Sequence, residues 1–106
     1  MSISDIDTVA LTFIPEDWIK GNFLAYSQKF FPDSRPLLQS KIKLLQFYLD
    51  FEGHVRKQFK YDGPLVFKQH HKCHFASSYY LSGFAESALM SMDGSGEYQT
   101  MLLGYG

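Results

Sequence analysis

Leu65-Val66-Phe67-Lys68-Gln69-His70-His71-Lys72-Cys73-His74-Phe75-Ala76-Ser77-Ser78 is the stretch on which the reading of this 106-residue chain turns. A short apolar run opens it, and three of the four histidines in the chain then fall within five consecutive positions. Leu65 to Gln69 has the length and side chains of a strand, entered through the turn residues Tyr61-Asp62-Gly63-Pro64. From His71 to Leu81 the sequence predicts a helix, with Ser82-Gly83 as its stop. A strand that hands the chain to a helix at a histidine cluster is a natural ligand position, because in open α/β sheets ligands gather outside the carboxyl ends of strands.

Working outward, Ala88 to Met92 predicts a further strand ending at Asp93. Gly94-Ser95-Gly96 then turns the chain into a last strand, Tyr98 to Leu103, which makes a hairpin. Upstream, Thr8 to Ile14 reads as a buried strand stopped by Pro15; if it belongs to a larger sheet, its neighbours must come from elsewhere. Residues 16–31 carry an untidy helical pattern with Trp18, Ile19, Phe23, Tyr26 and Phe30 apolar and Gly21 as a weak point. Pro32-Asp33-Ser34-Arg35-Pro36 breaks that pattern and starts the next helix. There Leu38, Ile42, Leu45 and Leu49 recur at spacings of four, three and four, and Leu44, Tyr48, Phe51, Val55 and Phe59 widen the stripe. Lys41, Lys43, Asp50, Arg56, Lys57 and Lys60 lie on its outer face, and Gly53 invites a bend or close packing. An aromatic stripe at helical spacing reads as core rather than as a ligand groove. The expected fold class is α/β: a mixed sheet with helices packed on it, residues 1–106 forming one domain or part of one.

Composition narrows the function classes. At 45% hydrophobic and 20% charged residues the chain is ordinary for a soluble globular protein, and its length leaves no room for a large multi-lobed active site. A formal net charge of −1 gives no excess of Lys and Arg for holding a phosphate backbone, so nucleic acid is not an expected partner. The one cysteine, Cys73, cannot form an internal disulfide and leans towards a reducing compartment. The start, Met1 to Asp7, lacks the basic and apolar regions of a signal peptide. No apolar run approaches the ~20 residues of a membrane span, and the chain reads as cytoplasmic.

Two clusters carry chemistry. Histidines four apart lie on one helix face, close enough to share an ion, and His70 with His74 satisfies this; His71 with His74, three apart, does so nearly as well. Imidazole is the commonest side-chain ligand for first-row transition metals. A carboxylate at the end of the neighbouring strand, Asp93, completes a two-His-one-carboxylate set with positions open for substrate. The residue after His70 is not the Glu that a zinc peptidase helix needs. Asp93-Gly94-Ser95-Gly96-Glu97 is the second cluster. Its glycines allow backbone N–H groups to cradle a phosphate while a carboxylate holds a bridging cation. The same Asp-Gly between strands also serves a tight hairpin that binds nothing. Glu97 either orients a ligand or starts a strand. Cys73 reads as a small buried residue. Ser77 and Ser78 are polar helix positions with no base-and-acid pair to make a nucleophile.

The run His70-His71-Lys72-Cys73-His74-Phe75-Ala76-Ser77, then Phe84-x-Glu86-x-Ala88, then Asp93-Gly94-x-Gly96-Glu97, resembles the central part of the amino-terminal domain of nodulation-type carbamoyltransferases. A weaker likeness extends upstream over Ile3-Ser4-Asp5-Ile6-Asp7. The resemblance implies a fragment of an actin/Hsp70/sugar-kinase (ribonuclease H-like) domain. It implies synthesis of carbamoyladenylate from carbamoyl phosphate and ATP, followed by carbamoyl transfer to a hydroxyl of a small-molecule acceptor. It further implies a divalent metal, iron rather than zinc, on His70, His74 and Asp93, with Gly94, Ser95, Gly96 and Glu97 facing the nucleotide phosphate and His71 as a possible additional ligand. The family domain has a glycine-containing hairpin before the point where this chain starts and continues beyond Gly106 into a second lobe, which carries a further ligand. Lys72 and Cys73 stand where the family usually has small or apolar residues. A segment of this kind is expected to act with the remaining lobe or another chain. The competing reading is a non-catalytic metal- or nucleotide-binding module that assembles with another chain. A small metal-dependent hydrolase would need a base beside the histidines, and none is evident.

Overall fold

In the computed structural model, residues 2–106 are described, without the side chain of Tyr26, so the apolar role expected of that ring lies outside the described residues. Strand β1 (Val9–Leu11) pairs in parallel with β2 (Leu65–Phe67), in the register Val9 to Leu65, Ala10 to Val66 and Leu11 to Phe67. Parallel pairing needs a crossover, and the helices between the two strands supply it. Pro15 ends the extended segment and opens α1 (Pro15–Trp18) at its first position, where a missing N–H costs nothing. The chain continues as a π-helical stretch (Ile19–Ala25) around Gly21 and then α2 (Tyr26–Lys29), which accounts for the untidy periodicity of this segment. Next come α3 (Arg35–Leu49) and α4 (Phe51–Phe59), followed by α5 (His70–Ser82) after β2. Strands β3 (Ala88–Met92) and β4 (Met101–Tyr105) pair antiparallel, Met90 opposite Leu103.

Several expectations need correction. The mixed sheet is two separate two-stranded sheets among the described residues, one parallel and one antiparallel. The long amphipathic segment is two helices, broken at Asp50 (φ −119°, ψ 34°); Gly53 does not bend the helix but is closely packed, since a Cβ there would meet the Asp50 carboxylate. The final strand begins at Met101 and not at Tyr98, because residues 93–100 form a folded connection rather than a tight turn. β1 is half-buried rather than buried, and β2 ends at Phe67. The helix starts one residue earlier than expected, at His70, and it stops at Gly83, whose φ of 75° is the left-handed cap that glycine takes at least cost.

Trp18, Val55 and Tyr61 are the buried hydrophobic residues among those described. Trp18 belongs to an aromatic cluster with Phe13, Phe47, Tyr48, Phe51 and Phe67, whose rings meet in tilted and edge-to-face pairs, with centroids 4.4 Å apart for Trp18 and Tyr48 and 5.1 Å for Phe13 and Tyr48. The aromatic stripe is thus core packing on one side only. Leu49 (67% exposed) and Phe59 (59%) face outward. β3 and β4 show the same one-sidedness: Leu89, Ser91 and Leu102 turn towards α5, while Met90, Met92, Met101, Leu103 and Tyr105 lie exposed on the opposite face. The chain measures 50 × 39 × 16 Å, with a radius of gyration of 17.0 Å against about 13 Å for a compact domain of this length. Its 7848 Å² of accessible surface likewise exceeds the roughly 6,100 Å² expected of a compact monomer of this mass. No helix among the described residues is long and apolar enough to cross a membrane.

Candidate metal centre

Three strand ends converge on one point. β1 runs out at Thr12 to Ile14, β2 delivers the chain through Gln69 to the start of α5, and β3 ends at Asp93. His70 and His74, one helical turn apart, project from α5 towards the Asp93 carboxylate. His70 Nε2 lies 2.8 Å from Asp93 Oδ2, His74 Nε2 lies 3.3 Å from the same oxygen, and the two Nε2 atoms are 3.1 Å apart. One ligand atom from each of the three residues fits within 4.8 Å of the others.

The protonation pattern follows from the neighbours. His70 Nδ1 faces the carbonyl oxygen of Thr12 at 3.4 Å; a carbonyl only accepts, so that nitrogen carries the hydrogen. Nε2 then presents a lone pair to a carboxylate oxygen, an arrangement that needs a proton or a cation between them. In the absence of a cation the proton supplies this: the hydrogen bond to Asp93 raises the His70 pKa above its ordinary value. The His70 hydrogen bond, with help from the Gly94 N–H and His74, lowers that of Asp93 to about 2. A divalent ion is the other solution. A metal–nitrogen bond of about 2.1 Å puts neighbouring ligand atoms roughly 3.0 Å apart in an octahedron and 3.4 Å apart in a tetrahedron. The 2.8, 3.1 and 3.3 Å separations match those edges, so the donor set fits a first-row cation. A backbone carbonyl behind the first imidazole is the usual support for a ligating histidine. His74 and Asp93 are exposed, leaving one side of the cluster open.

His71 does not join them. It is fully buried, its Nδ1 sits 2.7 Å from Ser91 Oγ, and its Nε2 donates to the Gln99 carbonyl at 2.8 Å. Both ring nitrogens are engaged, so its place as an additional ligand is not supported. The glycine segment also divides. Gly94 and Ser95 are exposed, whereas Gly96 and Glu97 are buried. The Gly94 N–H donates to Asp93 Oδ1 at 2.6 Å and the Gly96 N–H to the Gln99 carbonyl at 2.9 Å, so two donors of the expected phosphate cradle are spent inside the loop.

Glu97 points inward, where its Oε1 accepts the N–H of Ile14 at 3.1 Å and of His70 at 2.9 Å. Asn22 Nδ2 donates to the Glu97 carbonyl. Sequence reasoning assigned no role to Ser91, Gln99, Asn22 or the Thr12 carbonyl. Ser91 alone left a trace, as a polar residue on the inward face of an otherwise apolar strand. Cys73 is half-buried, and the hydroxyls of Ser77 and Ser78 both donate to the His74 carbonyl.

Fold and cluster together define a mixed α/β protein that gathers two imidazoles and a carboxylate at its strand ends. The sequence profile described as Carbamoyltransferase N-terminus matches residues 16–106, which include all three of those side chains, and the chain belongs to that family. The upstream likeness over Ile3 to Asp7 lies outside the match. Over 40 residues the chain is 48% identical to the uncharacterized protein sll1178 of Synechocystis sp., a stretch that is 38% of this chain and 6% of that relative. The matched part is thus a small fraction of the relative's length. No solved structure matches the chain.

Proposed function

We propose that this chain is a segment of an O-carbamoyltransferase that forms carbamoyladenylate from carbamoyl phosphate and ATP and passes the carbamoyl group to a hydroxyl of a small-molecule acceptor. The observation that carries the reading is the meeting of His70, His74 and Asp93 in a chain of the carbamoyltransferase N-terminus family. In this reading the three side chains hold a divalent metal. Two imidazoles and one carboxylate with open positions are the donor set of non-haem iron, which favours iron over zinc. Such an ion would supply Lewis-acid polarisation of the carbamoyl carbonyl or a grip on the phosphate.

This chain's own residues do the rest of the local work. The Thr12 carbonyl orients His70, Glu97 anchors the helix start through the His70 N–H, and the exposed Ser95, beside Gly94 whose own N–H is held by Asp93, is the part of the loop able to meet a nucleotide phosphate. As the hydroxyl oxygen bonds to the carbamoyl carbon, the bond to the adenylate phosphate breaks and AMP leaves. The acceptor's proton goes to a base supplied outside this segment. The wider fold in this reading is a fragment of an actin/Hsp70-type domain, and its compartment is the cytoplasm, consistent with the single free Cys73.

The test is consumption of ATP and carbamoyl phosphate by the intact protein, with and without added Fe²⁺, together with elemental analysis of the purified chain before and after Asp93→Ala. Activity is expected to need metal and to be lost when His70→Ala and His74→Ala are combined. Turnover unchanged in that double variant would reject the reading.

A second reading is a non-catalytic metal- or nucleotide-binding module that assembles with another chain, for which the surface offers two apolar places. The β3–β4 sheet leaves an apolar face open, and beside α5 there is a groove of about 470 Å³ that includes Phe75, Tyr79, Leu89 and Leu102. Metal binding without any turnover in the intact protein would favour it over the first.

A further inference from the structure

Successive residues on an α-helix point about 100° apart, so a helix start that aims His70 and His74 at Asp93 sends His71 to a different neighbour. That neighbour is the same segment of chain. Ser91 and Asp93 are two apart along β3 and its continuation and therefore share the face turned to α5. Ser91 meets His71 and Asp93 meets the other two imidazoles. On the far side of the loop the His71 Nε2 hydrogen bonds the Gln99 carbonyl, which also accepts the Gly96 N–H at 2.9 Å. Gly96 is packed against the ring: a Cβ there would come within 2.9 Å of Cδ2 and 3.0 Å of Nε2. One side chain of α5 thus grips the chain both before and after Asp93. The Asp93 N–H closes onto the Thr100 carbonyl at 2.9 Å, next to the second grip.

An apolar side chain would have filled this space without the cost of burying an imidazole. What an imidazole adds is two directed bonds at once, one to β3 at Ser91 and one to the connection after Asp93 at Gln99. We propose that His71 is a positioning residue, which fixes residues 91–99 against α5 so that the Asp93 carboxylate stays within reach of both His70 and His74. The inference rests on the reading of that cluster as a cation site. It makes the site's affinity depend on a side chain that holds no cation itself.

The experiment is a titration of the metal-free full chain with Co²⁺ alone, followed by its visible absorption. The unsubstituted protein is compared with His71→Gln, Ser91→Ala and Ser91→Thr. Glutamine keeps a donor near Nε2 but offers Ser91 nothing at Nδ1. Affinity is expected to fall about 10- to 100-fold in His71→Gln, with an altered cobalt band, as when outer-shell partners of other metal sites are removed. Ser91→Ala should move in the same direction, and Ser91→Thr, which retains the hydroxyl, should restore both affinity and band. Parent affinity and spectrum in folded His71→Gln and Ser91→Ala would overturn the proposal while leaving the cation site standing. If the unsubstituted chain binds Co²⁺ no better than His70→Ala with His74→Ala, the cation reading fails and takes the proposal with it. Should His71→Gln not fold, the Ser91 pair decides alone, and equal affinity in Ser91→Ala overturns the assignment.

Discussion

Glu97→Ala should loosen the start of α5 and the end of β1 together. Glu97 is 1% exposed, and one of its carboxyl oxygens accepts the backbone N–H groups of both Ile14 and His70. Truncation leaves each amide without its acceptor, at about 1–3 kcal/mol per buried group. Local openings that expose those amides become easier by the same amount. Their hydrogen exchange should therefore accelerate about 5- to 150-fold, since 1.4 kcal/mol is a factor of ten. Native-state exchange read residue by residue in the full chain is the assay. The amides of Ser87 and Gly106, which pair with each other's carbonyls at 2.8 and 3.0 Å at the far end of the β3–β4 sheet, serve as the control. Glu97→Gln keeps an oxygen acceptor in place and should cost less than tenfold. Unchanged exchange at Ile14 and His70 in Glu97→Ala would refute the clasp. Equal acceleration at Ser87 and Gly106 would refute its local character.

Trp18→Ala removes a side chain that is 8% exposed and stacked 4.4 Å from Tyr48, and should cost about 3–5 kcal/mol in chemical denaturation. A loss below about 1 kcal/mol would mean that the aromatic cluster is not the core. Gly83→Ala places a Cβ in open space at φ 75°, so only backbone strain opposes it; about 1–2 kcal/mol is expected in the same assay, and no loss would show that the helix end relaxes freely. Met90→Thr with Leu103→Thr replaces an exposed cross-strand pair, 64% and 65% accessible, and should lower self-association of this chain in light scattering. Unaltered scattering would point to another surface.

The elements legible in the sequence were those set by local chemistry. Leu65 to Phe67, the helix start at the histidines, Gly83 as its stop and Ala88 to Met92 all follow from patterns a few residues long. The break at Asp50 was not legible, because the Gly53 that suggested a bend sits three residues inside α4 while the helical periodicity runs on through the junction. Nor was the division into two sheets, since pairing partners are chosen by contacts distant in sequence. Spacing alone left His70 and His71 equivalent as partners of His74. Direction separated them: one ring faces Asp93 and the other is locked to Ser91 and Gln99. The Asp-Gly-x-Gly-Glu motif was legible as a loop, but nothing in its composition revealed that Glu97 turns inward.

His71 and Glu97 are the largest fully buried side chains among the described residues, and both lie against the His70, His74 and Asp93 cluster. That inverts the usual arrangement, in which an apolar core is the best-buried part of a domain and polar sites sit at its edge. Here the hydrophobic elements are covered on one side only, while the polar residues under the cluster have partners for every buried side-chain nitrogen and oxygen described. Buried polar networks that are fully satisfied rigidify and specify one geometry. The chain's order is therefore concentrated where two imidazoles and a carboxylate must be held within a few ångströms of one another. The open faces of α3, α4 and the β3–β4 sheet are free to be covered without disturbing that point. A partner or further segment laid on the Met90–Leu103 face would add stability to the sheet's outer side, whereas the cluster's geometry is fixed from its inner side by Ser91, Gln99, His71 and Glu97.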